Sequence, residues 1–395
     1  MGAPQIRSVV IPHPLGGLDA EAVGQRSRDA FDEILQKLTE QPIDAPEAAY
    51  ESTPRTLLLS GSWEHINDYF YAQRWTDGLP IVPPTIFNVE RMLASARRPP
   101  DALLGFIPPS MGAATIEKVA VNAVMAGCDA QCFPIVVAAV EAICRPEFNL
   151  LPMQATTNPV TPMIIVNGPV AKQLDINSGH NVLGQGWKSN ATIGRALRLI
   201  LTNIGGGVPG TLDKATHGQP GKFTLCIAEN EEQSPWEPFH VERGYTRHDS
   251  TVSVIGVAGT QDVIHYARTS AEKVLSTLVN AIPREGCKNL YSGGEPLIIF
   301  GPEQAAILAA GGLTKHDVKR IVFERARVPL SLLDPETVTL MRGRRNEWFS
   351  NHAAIDAIPL ADRPEDIQII VAGGAGNHTV FVPTWGDTRC VTLKL

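Results

Sequence analysis

One local pattern occurs twice in this chain: an apolar run, then a glycine, then a proline. The first copy is residues 163–169 and the second is residues 297–302. An apolar run before such a turn is typical of a buried strand, and a proline is tolerated in the first turn of a helix because its missing N–H would be unpaired there anyway. After each copy a second helix that contains arginines is expected, at residues 190–204 and 314–325. The pattern therefore predicts two related β–turn–α–α units.

The length of the chain, 395 residues, exceeds what one ordinary domain core holds. We therefore expect an α/β fold made of two related α/β lobes with a central cleft, plus an N-terminal extension. The expected boundaries are residues 1–60 for the extension, 61–245 for the first lobe, which carries most site residues, and 246–395 for the second lobe. Within the extension, residues 19–38 have the pattern of an amphipathic helix. The proline-rich, acidic residues 41–54 are typical of a linker.

The charge and hydropathy of the chain exclude several classes of partner. The formal net charge is −7 and no cluster of Lys and Arg stands out, whereas a nucleic-acid binder carries a basic face. No stretch approaches the roughly 20 apolar residues needed to cross a bilayer, and the N-terminus lacks the pattern of a signal peptide. Cytoplasmic localisation is therefore expected, with no nucleic-acid or membrane partner. The six cysteines are scattered, which favours reduced thiols over a disulfide framework.

The segment 176–195 combines glycines, polar side chains and the start of a helix. Its glycines let the backbone approach a ligand closely, and Ser189 or Asn190 is expected to cap the helix that follows. Because a helix N-terminus offers free N–H groups to an anion, Lys188 and Arg195 would add charge for a carboxylate or phosphate. The alternative is a structural glycine loop, and the spacing matches no nucleotide-binding pattern. The residues predicted to bind substrate here are Asn177, Ser178, His180, Lys188, Asn190 and Arg195.

The segment 226–244 follows a predicted strand at residues 222–228. Glu229 lies where that strand ends, which is the usual place for a catalytic side chain in an α/β fold. Histidine, and glutamate with a raised pKa, titrate near neutrality, so Glu229, Glu232 and His240 are predicted to act as general acid or base. One alternative is a solvated acidic loop. The other is a divalent-metal site, although the spacing matches no metal signature.

Two further places carry candidate residues. Cys128 comes at a predicted turn between helices, where a thiol near the start of the second helix would have its thiolate favoured; the alternative is a buried, inert cysteine. Near the C-terminus, a third strand and glycine turn at residues 369–378 offers Gly373 and Gly374 for close backbone approach, and His378 as a catalytic or structural histidine. Ligands in α/β folds bind at the carboxyl ends of strands, so these segments are expected to close on one site.

These motifs resemble those of a poorly characterised bacterial family, from about residue 60 to the end of the chain. The shared runs are residues 76–85, 122–128, 177–179, 190–196, 229–244 and 373–376. Members of that family often accompany a small domain named for a cysteine- or selenocysteine-containing UGSC motif, and residues 8–40 resemble the tail of that domain. The motif itself is absent from this chain. The resemblance therefore implies an enzyme with the same site, and a UGSC-type protein partner as the source of any redox group.

The leading hypothesis is a lyase- or hydratase-like enzyme that performs acid–base chemistry on a small, polar, anionic substrate. Three alternatives stay open: a thiol-dependent redox or C–S bond enzyme that uses Cys128 with a UGSC-type partner, a metal-dependent hydrolase, and a non-catalytic partner subunit. No nucleotide-binding fingerprint is visible, so no cofactor is expected, with a divalent metal as the alternative. We also expect a homo-oligomer.

Overall fold

The computed structural model describes residues 9–12, 18–40, 56–267, 269–352 and 354–395. The predicted linker at residues 41–54 therefore lies outside the described residues. The chain divides into two compact units, residues 1–66 and residues 67–395. Within the described residues, no helix combines the length and the apolar character that crossing a membrane requires.

The first unit contains the predicted amphipathic helix, α1, at Ala20–Thr39. Asp19 caps this helix, because its side chain accepts a hydrogen bond of 2.7 Å from the backbone N–H of Ala22. Ala30 is buried, whereas the side chains of Phe31 and Leu38 are exposed. The helix is confirmed, with part of its apolar face exposed.

The other helices of the described residues are numbered on from α1 in chain order. They are α2 (Trp63–Ala72), α3 (Ile86–Leu93), α4 (Ile116–Ala126), α5 (Phe133–Ile143), α6 (Leu150–Ala155), α7 (Pro169–Gln173), α8 (Lys188–Asn203), α9 (Phe239–Glu242), α10 (Ala271–Ala281), α11 (Lys288–Ser292), α12 (Pro302–Ala310), α13 (Lys315–Arg325), α14 (Pro335–Arg344) and α15 (Asn346–Asn351). A proline opens both α7 and α12, as the repeated pattern predicts, and the second helices α8 and α13 follow.

Strands occur among these helices along the chain, and the fold is of the α/β class. They are β1 (Leu103–Ile107), β2 (Gly112–Thr115), β3 (Thr161–Asn167), β4 (Cys226–Ala228), β5 (Thr251–Val257), β6 (Gln261–Ile264), β7 (Leu297–Phe300), β8 (Arg327–Pro329), β9 (Ala357–Pro359), β10 (Gln368–Val371), β11 (His378–Val382) and β12 (Val391–Lys394). Two small antiparallel pairs, β1–β2 and β8–β9, stand apart from two four-stranded mixed sheets.

The two four-stranded sheets have the same plan. Their strand orders are β12–β5–β3–β4 and β6–β11–β7–β10. β3 lies parallel to β4 and antiparallel to β5, just as β7 lies parallel to β10 and antiparallel to β11. The central strands β3 and β7 are the two apolar runs of the repeated pattern. The predicted pair of related β–turn–α–α units is therefore present.

If the first half of the duplicated chain is taken as the segment from β3 to β6 and the second half as the segment from β7 to β12, each sheet takes its outer strand from the other half. β6 follows β5 in sequence but pairs with β11, and β12 follows β11 but pairs with β5. Where the chain crosses, the N–H of Ala258 donates to the carbonyl of Pro383 at 2.8 Å, and the N–H of Trp385 donates to the carbonyl of Gly256 at 2.9 Å. This exchange joins the sheets into one compact unit, so two separate lobes with a cleft between them are not confirmed.

The two sheets share an apolar layer, to which Ile165 of β3 and Ile299 of β7 both belong. Because successive residues of a strand point to opposite faces, the side chains next to these two isoleucines lie on the other face of each sheet. Ile164 packs into a core with residues of α4, α5 and α8, and Ile298 packs into another core with residues of α10, α12 and α13. Both central strands are covered on both faces, which explains why their sequences are continuous apolar runs.

Replacing Ile165 with alanine tests this shared layer. The side chain is fully buried, so its loss should lower the free energy of unfolding by about 2–5 kcal/mol. Because the outer strands are exchanged, the backbone amides of β3 and β7 should lose protection together in hydrogen–deuterium exchange. Leu340→Ala, at an exposed position of α14, is the control and should leave the exchange pattern unchanged. Loss of protection in the first sheet alone would contradict the coupling of the sheets.

Candidate functional site

A cavity of about 590 Å³ is lined by the segments that follow β4, β7 and β10, together with the loop before α8. Its lining residues are Gly179, His180, Asn230, Glu232, Gln233, Pro302, Glu303, Ala306, Gly373, Gly374 and Ala375. Open α/β sheets commonly bind their ligands outside the carboxyl ends of strands. The cavity therefore lies where a ligand-binding site is expected in an α/β fold.

Backbone hydrogen bonds hold the segments of this cavity wall together. The N–H of Asn230, beyond β4, donates to the carbonyl of Val371 at the end of β10, at 2.7 Å. The N–H of Gly373 donates to the carbonyl of Ser178 at 2.8 Å. The first bond joins the two halves of the chain, and the second brings the glycine turn against the loop before α8.

His180 and Glu232 are the titratable residues among the predicted ones that line the cavity. A Cβ at Gly374 would collide with the imidazole of His180, so glycine at this position makes room for the ring. Glu232 accepts a hydrogen bond of 2.9 Å from Nζ of Lys172. This bond lowers the pKa of the Glu232 carboxyl and favours its ionised form. Of the predicted residues, the cavity thus brings together His180, Glu232, Gly373 and Gly374.

Glu229 lies directly after β4, as predicted, but it is buried instead of lining the cavity. Its Oε2 accepts a hydrogen bond of 2.6 Å from Nδ2 of Asn167 and one of 2.7 Å from the N–H of Phe239. Burial raises the pKa of Glu229 above its usual value. The strand before it is shorter than predicted, since it begins at Cys226 and not at residue 222, which ends a 3-10 turn.

His240 and Glu242 belong to the short helix α9, and His240 is fully buried. Its Nδ1 lies 3.9 Å from Oε1 of Glu231, which is too far for a hydrogen bond, and burial lowers the pKa of His240. Glu242 pairs with two buried lysines of α13, Lys315 at 3.2 Å and Lys319. Part of the acidic segment therefore ties α9 to the second half of the chain.

The burial of His240 predicts a pH dependence of stability. Its pKa in the folded protein is lowered below the unfolded value of about 6.5. The unfolded chain therefore binds more protons as the pH falls through that value, and stability that is present at neutral pH is lost. His240→Gln should flatten the fall in unfolding free energy between about pH 7 and about pH 5, measured by urea unfolding.

The exposed His316 offers the control for this experiment. His316→Gln should keep the wild-type dependence on pH. If His240→Gln kept that dependence as well, His240 would not be the group responsible.

α8 begins at Lys188, with Trp187 as its N-cap residue and no side-chain cap, so the prediction that Ser189 or Asn190 caps it was wrong. Both side chains lie inside the first turn and bond to other segments. Asn190 accepts a hydrogen bond of 2.8 Å from the N–H of Asn177 and donates one of 3.1 Å to its carbonyl. These bonds fix the loop that carries His180 to the helix, which is a positioning role for Asn177 and Asn190.

The two cations predicted to hold an anion each bind a carboxylate. Nζ of Lys188 lies 2.6 Å from Oδ1 of Asp129. Arg195 donates to both oxygens of Asp77 at 2.7 and 2.8 Å, and the side chains of this pair are only 15% and 5% exposed. Neither cation lines the cavity. The Arg195 pair instead anchors the proline-rich residues 76–85 to α8.

Cys128 and His378 do not line the cavity either. The Sγ of Cys128 is buried and donates to the carbonyl of Thr192 at 3.1 Å. Burial raises the pKa of this thiol to about 12, so the prediction of a favoured thiolate was wrong. His378 begins β11, and its Nδ1 lies 2.9 Å from Oδ1 of Asp262 on the adjacent strand β6.

Several lining residues were missed by sequence reasoning: Asn230, Gln233, Pro302, Glu303, Ala306 and Ala375. Two of them, Asn230 and Gln233, lie within the acidic segment that the sequence already singled out. Pro302 opens the helix of the second repeat copy. The repeat itself was therefore the signal that could have found this part of the wall, because it places a helix start at the end of a central strand.

A second cavity, of about 450 Å³, lies against α15. Its lining includes Arg344, Trp348, His352 and Arg389. None of the residues predicted from the sequence lines it, and its arginines include Arg345, which is buried and bonded to Asp362 at 2.7 Å. It is therefore the weaker candidate for the predicted site.

No protein-family model matches this chain, and no curated protein matches it. The resemblance to the UGSC-associated family therefore stays a prediction. In the part of the chain that the structure describes, no group of three or more His, Cys, Asp or Glu side chains is arranged to hold a metal ion.

Proposed function

We propose that the chain is an enzyme of the lyase or hydratase kind, which moves protons on a small polar substrate bound in the cavity of about 590 Å³. The observation that carries the proposal is the presence of an imidazole, His180, and a carboxylate, Glu232, on the wall of one cavity at strand carboxyl ends. Small-molecule sites commonly have volumes of about 300–1,000 Å³. Lyase and hydratase reactions need a base that removes a proton and an acid that supplies one.

His180 is the group proposed to exchange a proton with the substrate. Histidine is the side chain whose charge ordinarily changes between about pH 5 and pH 8, so it can serve as acceptor and donor. Glu232, whose pKa is lowered by the bond from Lys172, would stabilise positive charge that develops on the imidazole or on the substrate. The amides of Asn230 and Gln233 on the same wall would orient the substrate by hydrogen bonds.

The charge of the cavity wall does not support the anionic substrate expected from the sequence. Lys188 and Arg195 are each bonded to an aspartate and do not line the cavity. The lining includes the carboxylates of Glu232 and Glu303, and Lys172 is bonded to the first of them. We therefore propose a polar substrate without a requirement for negative charge.

The thiol-dependent alternative gains no support from the position of Cys128. Its sulfur is buried, hydrogen-bonded to a backbone carbonyl and absent from the cavity lining. The thiolate is the form that reacts as a nucleophile, and burial disfavours it. Acid–base chemistry at His180 is therefore better supported.

Exchange of substrate hydrogen for deuterium tests the proposed function. The protein would be incubated in D₂O with pools of small hydroxy acids, amino acids and sugars, and NMR would show which compound exchanges a C–H hydrogen or is converted. His180→Asn should lower the rate by about 10²- to 10⁴-fold, the usual contribution of a general acid–base group. His316→Asn, at an exposed histidine outside the cavity lining, should keep the wild-type rate.

Two results would contradict this proposal in different ways. A wild-type rate in His180→Asn would show that His180 does not move the proton. Absence of exchange and conversion in every pool would contradict the proposal that the chain is an enzyme of this kind.

A further inference from the structure

The second cavity, of about 450 Å³, is formed by segments that lie far apart in the sequence. The end of α14 contributes Arg344, and α15 and the residue after it contribute Trp348 and His352. Arg389 lines the same cavity from the segment that precedes β12. Small-molecule sites commonly have volumes of about 300–1,000 Å³. The cavity is therefore large enough for a small molecule, and no described residue lines both it and the first cavity.

One wall of this cavity is held in place by a buried arginine. The guanidinium of Arg345 lies 2.7 Å from Oδ1 of Asp362 and also donates to backbone carbonyls. The same guanidinium packs over the indole of Trp348 at 4.8 Å, and Nε1 of Trp348 donates to the carbonyl of Asp362 at 3.1 Å. His352 stacks on the indole, with the ring centroids 4.5 Å apart. These contacts fix the wall before a ligand arrives, which lowers the entropy cost of binding.

Two of the four arginines that line the cavity have their charge offset within the lining. Arg345 pairs with Asp362, and Arg363 donates to Oδ1 of Asp366 at 2.8 Å. Both of these carboxylates line the cavity, and Glu347 is the third carboxylate there. Four arginines against three carboxylates give the wall a net positive charge. The first cavity is instead lined by carboxylates and, among the described residues, by no lysine or arginine.

The other two arginines, Arg344 and Arg389, have guanidinium groups available to a ligand. Among the described residues, the side chain of Arg389 forms no hydrogen bond or ion pair, and Glu295, a carboxyl on which its charge acts, is bonded to a backbone N–H. Arg344 lies 3.4 Å from Oδ2 of Asp387, and the side chains of this pair are 59% and 42% exposed, so the pair contributes little. Lys288, which also faces Asp387, is near enough to Arg344 for the two cations to repel each other. A bound anion would relieve that repulsion.

We propose that the second cavity binds a small molecule that carries a phosphate or carboxylate group, and that Arg344 and Arg389 hold this group. A guanidinium presents its N–H groups as a planar fork, which matches the oxygens of a carboxylate or a phosphate. The amides of Asn346 and Asn351 and the hydroxyl of Ser292 line the same cavity and would bind the other polar groups of the molecule. This inference concerns the second cavity alone and does not depend on catalysis in the first.

Isothermal titration calorimetry at physiological ionic strength tests this site with glycerol phosphate and with citrate, and glycerol is the uncharged control. The wild-type protein should bind at least one of the two anions at a single saturable site, and the anion that binds more tightly identifies the group as phosphate or carboxylate. Arg389→Gln should weaken that binding by about tenfold or more, because charge-assisted hydrogen bonds to the anion are lost. Arg342→Gln, at an exposed arginine of α14 outside the lining, is the matched control. It should change the affinity by less than about twofold, because solvent and salt screen a charge that does not touch the ligand.

NMR of the wild-type protein locates the bound anion. Saturation with the anion should shift the ring signals of His352, which lines the cavity, and should leave those of the exposed His316 unchanged. His180→Asn should keep the wild-type affinity, so that failure of the proposed catalysis and failure of this site are separate results.

Three results would overturn the proposal. The first is the absence of saturable binding of both anions by the wild-type protein. The second is wild-type affinity in both Arg389→Gln and Arg344→Gln, two variants that should fold because both arginines are exposed. The third is an unchanged His352 signal at saturation, which needs no variant and would place the anion elsewhere.

Discussion

The exchange of the outer strands β6 and β12 is the constraint on which the rest of this structure depends. Neither half of the chain completes its own four-stranded sheet, because each provides the outer strand of the other. The sheets are consequently held against one apolar layer, with Ile165 and Ile299 in the same core. Pairings between segments so far apart in sequence carry a cost in chain entropy, which burial of this layer offsets. The two halves are therefore expected to be stable together and not separately.

The same arrangement explains where the candidate site lies. When the sheets pack against each other, the end of β4 meets the end of β10, and the bond from Asn230 to Val371 joins them. The cavity wall then takes His180 and Glu232 from the first half, and Gly373 and the start of α12 from the second. The buried pairs of Glu242 with the lysines of α13 cross the same boundary. The proposed chemistry is therefore a property of the duplicated fold as a whole.

The sequence predicted the features that depend on local pattern. The repeated apolar run and proline predicted β3, β7 and the helices that follow them, and the strand before Glu229 placed that residue at a sheet end. The strand exchange could not be predicted, because β6 and β12 are short and partly exposed, and their sequences do not specify a partner.

The predictions that failed at the site also depend on contacts between residues that are far apart in the sequence. Arg195 was expected to hold a ligand, but the charge it binds belongs to Asp77, which is 118 residues away in the sequence. Cys128 was expected at a turn near the start of a helix, with a buried, inert cysteine as the alternative, and only the packing around it shows that its thiol is buried. His180, Gly373 and Gly374 were identified because glycine-rich segments are a local signal.

The substrate is proposed to bind in the cavity of about 590 Å³ beside the ends of β4, β7 and β10. Crystals of the protein soaked with pools of small polar compounds test this claim directly. We expect electron density for a bound compound in contact with His180 and Asn230, beside the glycine turn at residues 373–375. Density only in the second cavity, beside Trp348 and Arg389, with solvent alone in the first, would contradict it.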